Sequence, residues 1–66
     1  MEDHLSHNAK ILLRFMREAA KRGLFSQQES MMRETMSVLL TVLEISDEEF
    51  VQIMRIIATE SKENLS

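Results

Sequence analysis

The sequence predicts an all-α fold in which three short amphipathic helices assemble as a homodimeric helical bundle. Three observations lead to this prediction. The chain contains no proline, its apolar residues recur at helical spacing, and S-x-x-E capping boxes precede two of the three apolar segments. The predicted helices span about residues 4–22, 27–44 and 47–62. Residues 1–66 are expected to form a single helical domain with frayed termini at about 1–4 and 63–66.

The prediction of self-association depends on the size of the chain. A single core in a chain of 66 residues rarely supplies more than roughly 3–5 kcal/mol of net stability. Small proteins usually add disulfides, a metal ion or oligomerisation. This chain has no cysteine, and its two histidines, His4 and His7, lie close together near one terminus. Oligomerisation is therefore the expected source of additional stability.

The first helix is predicted to begin between His4 and Asn8, with Asp3 or Ser6 as its N-cap, and to end at Gly23. Gly23 is the only glycine, and a glycine just after a helix readily takes the left-handed conformation that ends it. The predicted apolar face comprises Leu5, Ala9, Leu12, Met16, Ala19 and Ala20.

The second helix is predicted to start at a capping box, Ser26-x-x-Glu29, and to end near Glu44. No charge lies between Glu34 and Glu44, and the apolar side chains of this helix cover an arc of roughly 220°. One partner helix cannot cover so wide an arc, so we predict that this helix also forms the dimer interface. The predicted interface residues are Met31, Met32, Val38, Leu39 and Val42.

The third helix is predicted to start at a second capping box, Ser46-x-x-Glu49, with three acidic residues in its first turn. Ile45 and Phe50 flank this start and complete a hydrophobic staple. Ile56 falls outside the predicted apolar face and is expected to point away from it. That face comprises Phe50, Ile53, Met54, Ile57 and Ala58.

The segment Leu43–Ser46, followed by Phe50 and Ile53-Met54, resembles the turn of the helix-turn-helix motif, in which an L-G-I-S-like tetrapeptide joins two helices. The resemblance implies two helices that meet at a sharp corner. In that motif glycine is favoured where this chain has Glu44, and the N-terminal residues of the recognition helix approach DNA. Three acids open the corresponding helix here and would repel DNA, so we interpret the segment as a structural corner.

A basic stripe lies along one edge of the first helix, opposite its apolar face, and comprises Lys10, Arg14, Arg17 and Lys21. Like charges one turn apart slightly destabilise a helix, so the stripe suggests an acidic protein partner or a phosphate backbone. The simpler interpretation, which we prefer, is a solvated face on which Glu18 offsets the neighbouring arginines. Residues 1–25 contain five bases and three acids, and residues 26–66 contain three bases and eight acids. This asymmetry can stabilise a head-to-tail or antiparallel pairing of two copies, or it can mark a basic face meant for an acidic partner.

Patterns typical of an enzyme are missing from the sequence, and we expect no catalytic, cofactor-binding or metal site. His4 and His7 come from one terminal turn, whereas ligands that fold a domain around a metal come from distant points. The chain has serines but no cysteine, and its only histidines are at one terminus, so no nucleophile–base pair can be argued. Glycine-rich phosphate loops are excluded because there is a single glycine.

The expected function is that of a small protein–protein interaction module, such as an adaptor, an inhibitor or a helical chaperone-type regulator. It would act as a homodimer on a larger protein partner. We read no signal peptide and no membrane span, so we expect a cytoplasmic protein. The predicted partner contacts are Lys10, Arg14, Arg17, Lys21 and Ile56.

Two alternatives remain open. The first is an RNA- or DNA-binding regulator that uses the basic stripe of the first helix; four charges without an interleaved aromatic residue support it only weakly. The second is a protein that binds lipid or a small apolar molecule at Met31 and its neighbours.

Overall fold

A computed structural model of the chain describes residues 4–65, with side chains for residues 4–61, and all of its regular structure is helical. The helices are α1 (His7–Lys21), α2 (Leu24–Gln27), α3 (Glu29–Val42) and α4 (Asp47–Leu65). The all-α prediction is confirmed, but α2 was not predicted as a separate helix. The fraying predicted at 1–4 and 63–66 falls in part on residues 1–3 and 66, which lie outside the described residues.

Helix α1 has the two ends that its sequence predicts. Ser6 is the N-cap, and its hydroxyl oxygen accepts a hydrogen bond from the backbone N–H of Ala9 at 3.2 Å. At the other end Gly23 has φ +71°, and its N–H donates to the carbonyl oxygen of Ala20 at 3.1 Å. A side chain at this position would be strained, which explains the single glycine.

The capping box predicted at Ser26 and Glu29 is wrong. A new helical turn begins directly after Gly23, so Ser26 lies inside α2, where its hydroxyl donates to the Gly23 carbonyl oxygen at 3.1 Å. Helix α3 follows Gln28, whose φ of −128° and ψ of 51° interrupt the helical backbone without a side-chain cap. The Glu29 carboxylate pairs with Arg33 at 3.0 Å instead of reaching back to Ser26.

Helix α3 ends in a Schellman motif that turns the chain sharply into α4. The N–H of Ile45 donates to the carbonyl oxygen of Leu40 at 3.1 Å, and the N–H of Glu44 donates to that of Thr41 at 3.3 Å. Glu44 has φ +54°, the left-handed conformation that glycine would adopt with less strain. The corner predicted at residues 43–46 is therefore present, with Glu44 in the conformation usually given to glycine.

One half of the second capping box is confirmed. The Ser46 hydroxyl oxygen accepts a hydrogen bond from the Glu49 N–H at 3.2 Å, which caps α4. The Glu49 carboxylate does not return to Ser46 but accepts from the N–H of Ser6 at 2.8 Å and from its hydroxyl at 3.2 Å. The first turn of α4 is thereby attached to the start of α1.

Helices α1 and α4 lie side by side and run parallel. Near their starts Ser6 contacts Glu49, and eleven residues further along each helix Arg17 contacts Glu60, so both pairs are separated by 43 residues. The Arg17 guanidinium grips the Glu60 carboxylate, with Nη2 2.6 Å from Oε2 and Nε 3.0 Å from Oε1. The two contacts hold the register of the helix pair over about three turns.

Helix α3 runs in the opposite direction to α1. The side-chain amide of Asn8 donates to the carbonyl oxygen of Leu43 at 3.0 Å, which joins the start of α1 to the end of α3. At the other end the short α2 connects α1 to the start of α3. The Cα atoms extend 30 × 26 × 15 Å, so the helices form a flattened layer with two broad faces.

The buried face of α4 is rotated from the predicted one. Ile56 is only 7% exposed and belongs to the core, so the prediction that it points away as a partner contact is wrong. Met54, predicted inside, is 43% exposed, and Ala58 is exposed as well. The cause is the parallel packing of α4 on α1. Glu49 and Glu60 both contact α1, so the side of α4 that carries them, and Ile56 with it, faces inward. The core comprises Leu5, Ala9, Leu12, Leu13, Met16, Met36, Ile53, Ile56 and Ile57.

Candidate functional site

Helix α3 is the part of the chain whose apolar surface the other helices cover least. Met36 is buried in the core, and Leu39 and Leu43 are half-buried against it. On an α-helix these positions form a line of about 60° in width, which is much narrower than the apolar arc of this helix. Apolar side chains consequently flank the buried line on both sides, and the two flanks differ in shape.

One flank of α3 borders an apolar groove that opens between α2, α3 and the first half of α4. Its volume is about 380 Å³. Met32 and Met36 are buried and form its floor, and Met54 stands at its rim. Glu29, Arg33 and Ser37 follow one edge of it. We call this surface the groove, and its apolar lining comprises Phe25, Met32, Met36, Leu40, Phe50 and Met54.

The lining of the groove is suited to an apolar side chain of variable shape. Three of its members are methionines, whose unbranched and polarisable side chains adapt to irregular partners. Phe25 and Phe50 are half-buried and present ring surface from α2 and from α4. Grooves of this composition typically bind the apolar face of an amphipathic helix.

The other flank of α3 is a convex stripe of exposed apolar side chains. Met31, Val38 and Val42 are 52%, 59% and 68% exposed, respectively. Their spacings of seven and eleven residues place them within about 20° of one line on the helix. We call these three residues the outer stripe. No polar side chain of α3 other than the half-buried Thr35 interrupts that line in the described chain.

The five residues predicted for the dimer interface are thus divided between two environments. Met31, Val38 and Val42 lie together on the outer stripe. The predicted position of Met32 at the interface is corrected, because Met32 is buried inside the subunit at the floor of the groove and has little surface left to offer a second copy. Leu39 is half-buried against the core and contributes at most an edge to that surface.

The predicted basic stripe of α1 is divided in a similar way. Lys10, Arg14 and Lys21 are exposed, whereas Arg17 is half-buried against α4 and paired with Glu60. The hydrogen bonds and charge of Arg17, with a smaller attraction from Lys21, hold the pKa of the Glu60 carboxyl below its ordinary value against the effect of burial. Arg17 therefore contributes to the α1–α4 pairing and offers less positive charge to a phosphate backbone.

A second, polar pocket of about 340 Å³ lies where α1 begins and α3 turns into α4. Its walls include His7, Glu44 and Glu49, and the amide of Asn8 spans it to reach Leu43. In the described part of the chain, no cluster of three histidine, cysteine, aspartate or glutamate side chains has the spacing to hold a metal ion. The Glu49 carboxylate already accepts two hydrogen bonds from Ser6, so the pocket serves to join the helix ends.

The methionine-rich arc of the second helix suggests a groove for another helix, but the sequence does not locate it. The sequence places Met54 on the inward face of the third helix and Phe25 before the second helix, so it does not bring them together with Met36. A signal is nevertheless present in the sequence. In two antiparallel helices joined by a four-residue turn, Leu40 lies opposite Phe50 and Met36 opposite Met54, and a gap between such large residues leaves a groove.

Comparison of this chain with protein-family models, curated proteins and solved structures finds no match. Over residues 4–65, none of the helices combines the length and the apolar character needed to cross a membrane.

Proposed function

We propose that this protein is a small, non-enzymatic protein–protein interaction module that acts as a homodimer on a larger protein partner, in the manner of an adaptor, an inhibitor or a helical chaperone. The observation that carries the proposal is the outer stripe, because it exposes three apolar side chains in line on one helix. Such a line is typical of a helix that packs against another helix.

The accessible surface of the chain supports self-association. It amounts to 5126 Å². A folded monomer of 7.7 kDa is expected to expose about 4300 Å², which is about 800 Å² less. A standard-size interface buries about 800 Å² on each partner. One interface of ordinary size would therefore bring the exposed surface of each subunit to the value typical of a folded protein.

The chemistry of the outer stripe also favours a second copy of the same helix. Val38 and Val42 are β-branched, so their side chains lose little conformational freedom when they are covered. No charged residue lies between Glu34 and Glu44, and two such segments can approach each other without repulsion. In a symmetric dimer each residue of the stripe contributes twice, so one substitution has a doubled effect.

The proposal is tested by light scattering coupled to size exclusion, on the wild type and on two matched variants. Val38→Lys places a charge on the outer stripe, and Val51→Lys places the same charge on α4 at a position that is 47% exposed and outside the stripe. The wild type and Val51→Lys are expected at about twice the 7.7 kDa chain mass. Val38→Lys is expected at the monomer mass, with helical circular dichroism as the check on folding.

Two results would overturn the proposed homodimer. One is a wild-type protein that stays at the monomer mass while folded, over the full range of concentrations that can be measured. The other is a pair of variants with the same mass, since the outer stripe would then have no special part in assembly.

A further inference from the structure

We infer that the groove binds one amphipathic helix of the partner protein, with basic residues at the end of that helix that lies beside the α3–α4 turn. The inference deepens the proposed function, since it names the partner surface that this module recognises. It does not depend on the homodimer, because the groove and the outer stripe lie on opposite sides of the buried line of α3.

The length of the groove fits about three turns of helix. Its wall on α3 extends from Glu29 to Leu40, and eleven residues of helix rise about 17 Å. A partner helix laid along this wall would insert side chains at i, i+3 or i+4, and i+7, which is the usual spacing of anchors in helix-in-groove recognition. The methionine floor at Met32 and Met36 can adapt to whichever apolar anchors arrive.

Charge at the two ends of the groove determines which helix fits. At the end beside the turn, Asp47 is exposed and has no ion-pair partner within the described residues, and the segment that forms the groove, residues 24–54, contains six acids against one base. Asp47 precedes Met54 by seven residues and so lies on the same face of α4 as the rim of the groove. At the other end Arg33 is already paired with Glu29 at 3.0 Å.

A partner with basic residues is therefore favoured over an acidic or neutral one. Asp47 and the acidic balance of the segment that forms the groove attract a lysine or arginine and repel an acidic side chain. A second copy of this chain meets the requirement poorly, because its outer stripe carries no base between Glu34 and Glu44. The apolar face of its α1 is buried in its own core.

The test uses the full chain with ¹³C-labelled methionine methyl groups, which report on each surface separately. The probe is a helical peptide of about 16 residues with leucines on one face and lysines on the other. A matched peptide has glutamate in place of every lysine. We expect the lysine peptide to shift the methyl signals of Met32, Met36 and Met54 together and to saturate, with Met31 unmoved. The glutamate peptide is expected to leave all four signals in place.

Three variants locate the binding energy. Met54→Gln removes an apolar contact at the rim. It is expected to lower the affinity for the lysine peptide at least about fivefold, as for an interface anchor. Val51→Gln, its matched control on the same helix, is expected to change the affinity less than about twofold. Asp47→Asn is expected to weaken binding about threefold and to reduce its dependence on salt.

The remaining outcomes each decide the question. If the glutamate peptide binds as well as the lysine peptide, the charge argument is overturned. If the peptides leave the groove methyls unmoved while a small apolar dye shifts them, the groove is a small-molecule site and the inference fails. Val38→Lys separates this inference from the proposed homodimer. A monomeric Val38→Lys variant that still binds the lysine peptide supports the groove, and a dimeric wild type that does not bind the peptide contradicts it.

Discussion

The two flanks of α3 are both apolar but have different shapes and chemistry. The groove is concave, has a floor of methionine and ends near the exposed Asp47. The outer stripe is convex, and its two most exposed members, Val38 and Val42, lie in an uncharged segment. A concave, adaptable surface suits a different protein, and a narrow, rigid stripe suits an identical helix. One helix of fourteen residues can thus present two independent interaction surfaces.

The difference between the flanks arises from how the neighbouring helices pack. Helix α4 lies against α1 and is held there by the contacts of Glu49 and Glu60, so it approaches α3 on one side only. That side becomes the groove, because Phe50 and Met54 form its second wall. The other side of α3 has no neighbour among the described elements and remains a convex stripe.

The largest expected effect comes from a charge on the buried line between the two flanks. Leu39 packs against the core, and Leu39→Asp should destabilise the fold by about 3 kcal/mol or more, because an ionised carboxylate would have to be buried there. Since the whole core rarely supplies more than about 5 kcal/mol, we expect loss of the helical signal at 222 nm. A wild-type melting temperature in this variant would show that the face between the flanks has been assigned wrongly.

A smaller effect is expected when α4, which forms one wall of the groove, loses its N-cap. Ser46→Ala removes the acceptor of the Glu49 N–H and should cost about 1 kcal/mol. Ser26→Ala is the matched control: that hydroxyl donates to the Gly23 carbonyl inside α2, and its removal should cost less than about 0.5 kcal/mol. Urea unfolding of the two variants measures the difference. Equal losses would mean that both serines, or neither, act as helix caps.

An effect of similar size and opposite sign is expected at the turn that closes one end of the groove. Glu44→Gly relieves a left-handed backbone and should stabilise the protein by about 1 kcal/mol. Glu34→Gly, on an exposed helical position of α3, should destabilise it by about 1 kcal/mol. Thermal unfolding of the pair checks the signs. A destabilised Glu44→Gly variant would contradict the conformation described for this turn.

The smallest effect is expected far from both flanks, in the ion pair between α1 and α4. Glu60→Gln and Arg17→Ala should each cost about 0.5–1 kcal/mol at neutral pH, since the pair is partly exposed to solvent. The pKa of Glu60 is lowered in the folded state, so its contribution is complete above the ordinary glutamate pKa of about 4.3. It decreases as the pH falls through the lowered value.

The measurement for this pair is urea unfolding of the wild type and of Glu60→Gln between neutral and acid pH. The stability difference between them should be constant near pH 7 and should shrink at acid pH. Neither Glu60→Gln nor Arg17→Ala should alter the groove or the outer stripe. A difference that grows on acidification would contradict the assigned direction of the pKa shift.

Much of the fold follows from local signals in the sequence. Ser6, Gly23 and Ser46 mark helix ends by chemistry that acts within four residues, and each does so in the structure. The pattern at Ser26 is locally just as good, but Gly23 restarts the helix early and places Ser26 inside it. A local pattern of this kind cannot foresee what the preceding turn does to its position.

The rotation of α4 could not be predicted from periodicity alone. The apolar residues of α4 surround more than half of the helix, so the sequence permits either Met54 or Ile56 inside. Long-range contacts make the choice. Glu49 contacts Ser6 and Glu60 contacts Arg17, and these contacts place Ile56 in the core. The groove depends on that same rotation, because Met54 reaches its rim only when Ile56 is buried.

The most direct test of the two-flank description is a dilution series of the unmodified protein, followed through its methionine methyl signals. Met31 lies on the outer stripe, and Met54 lies at the rim of the groove. If the outer stripe forms the homodimer and the groove stays open for a partner, dilution from millimolar to micromolar concentration should shift the Met31 signal and leave Met54 in place. A shift of Met54 with Met31 unchanged would show that the protein self-associates through the groove, which contradicts the description.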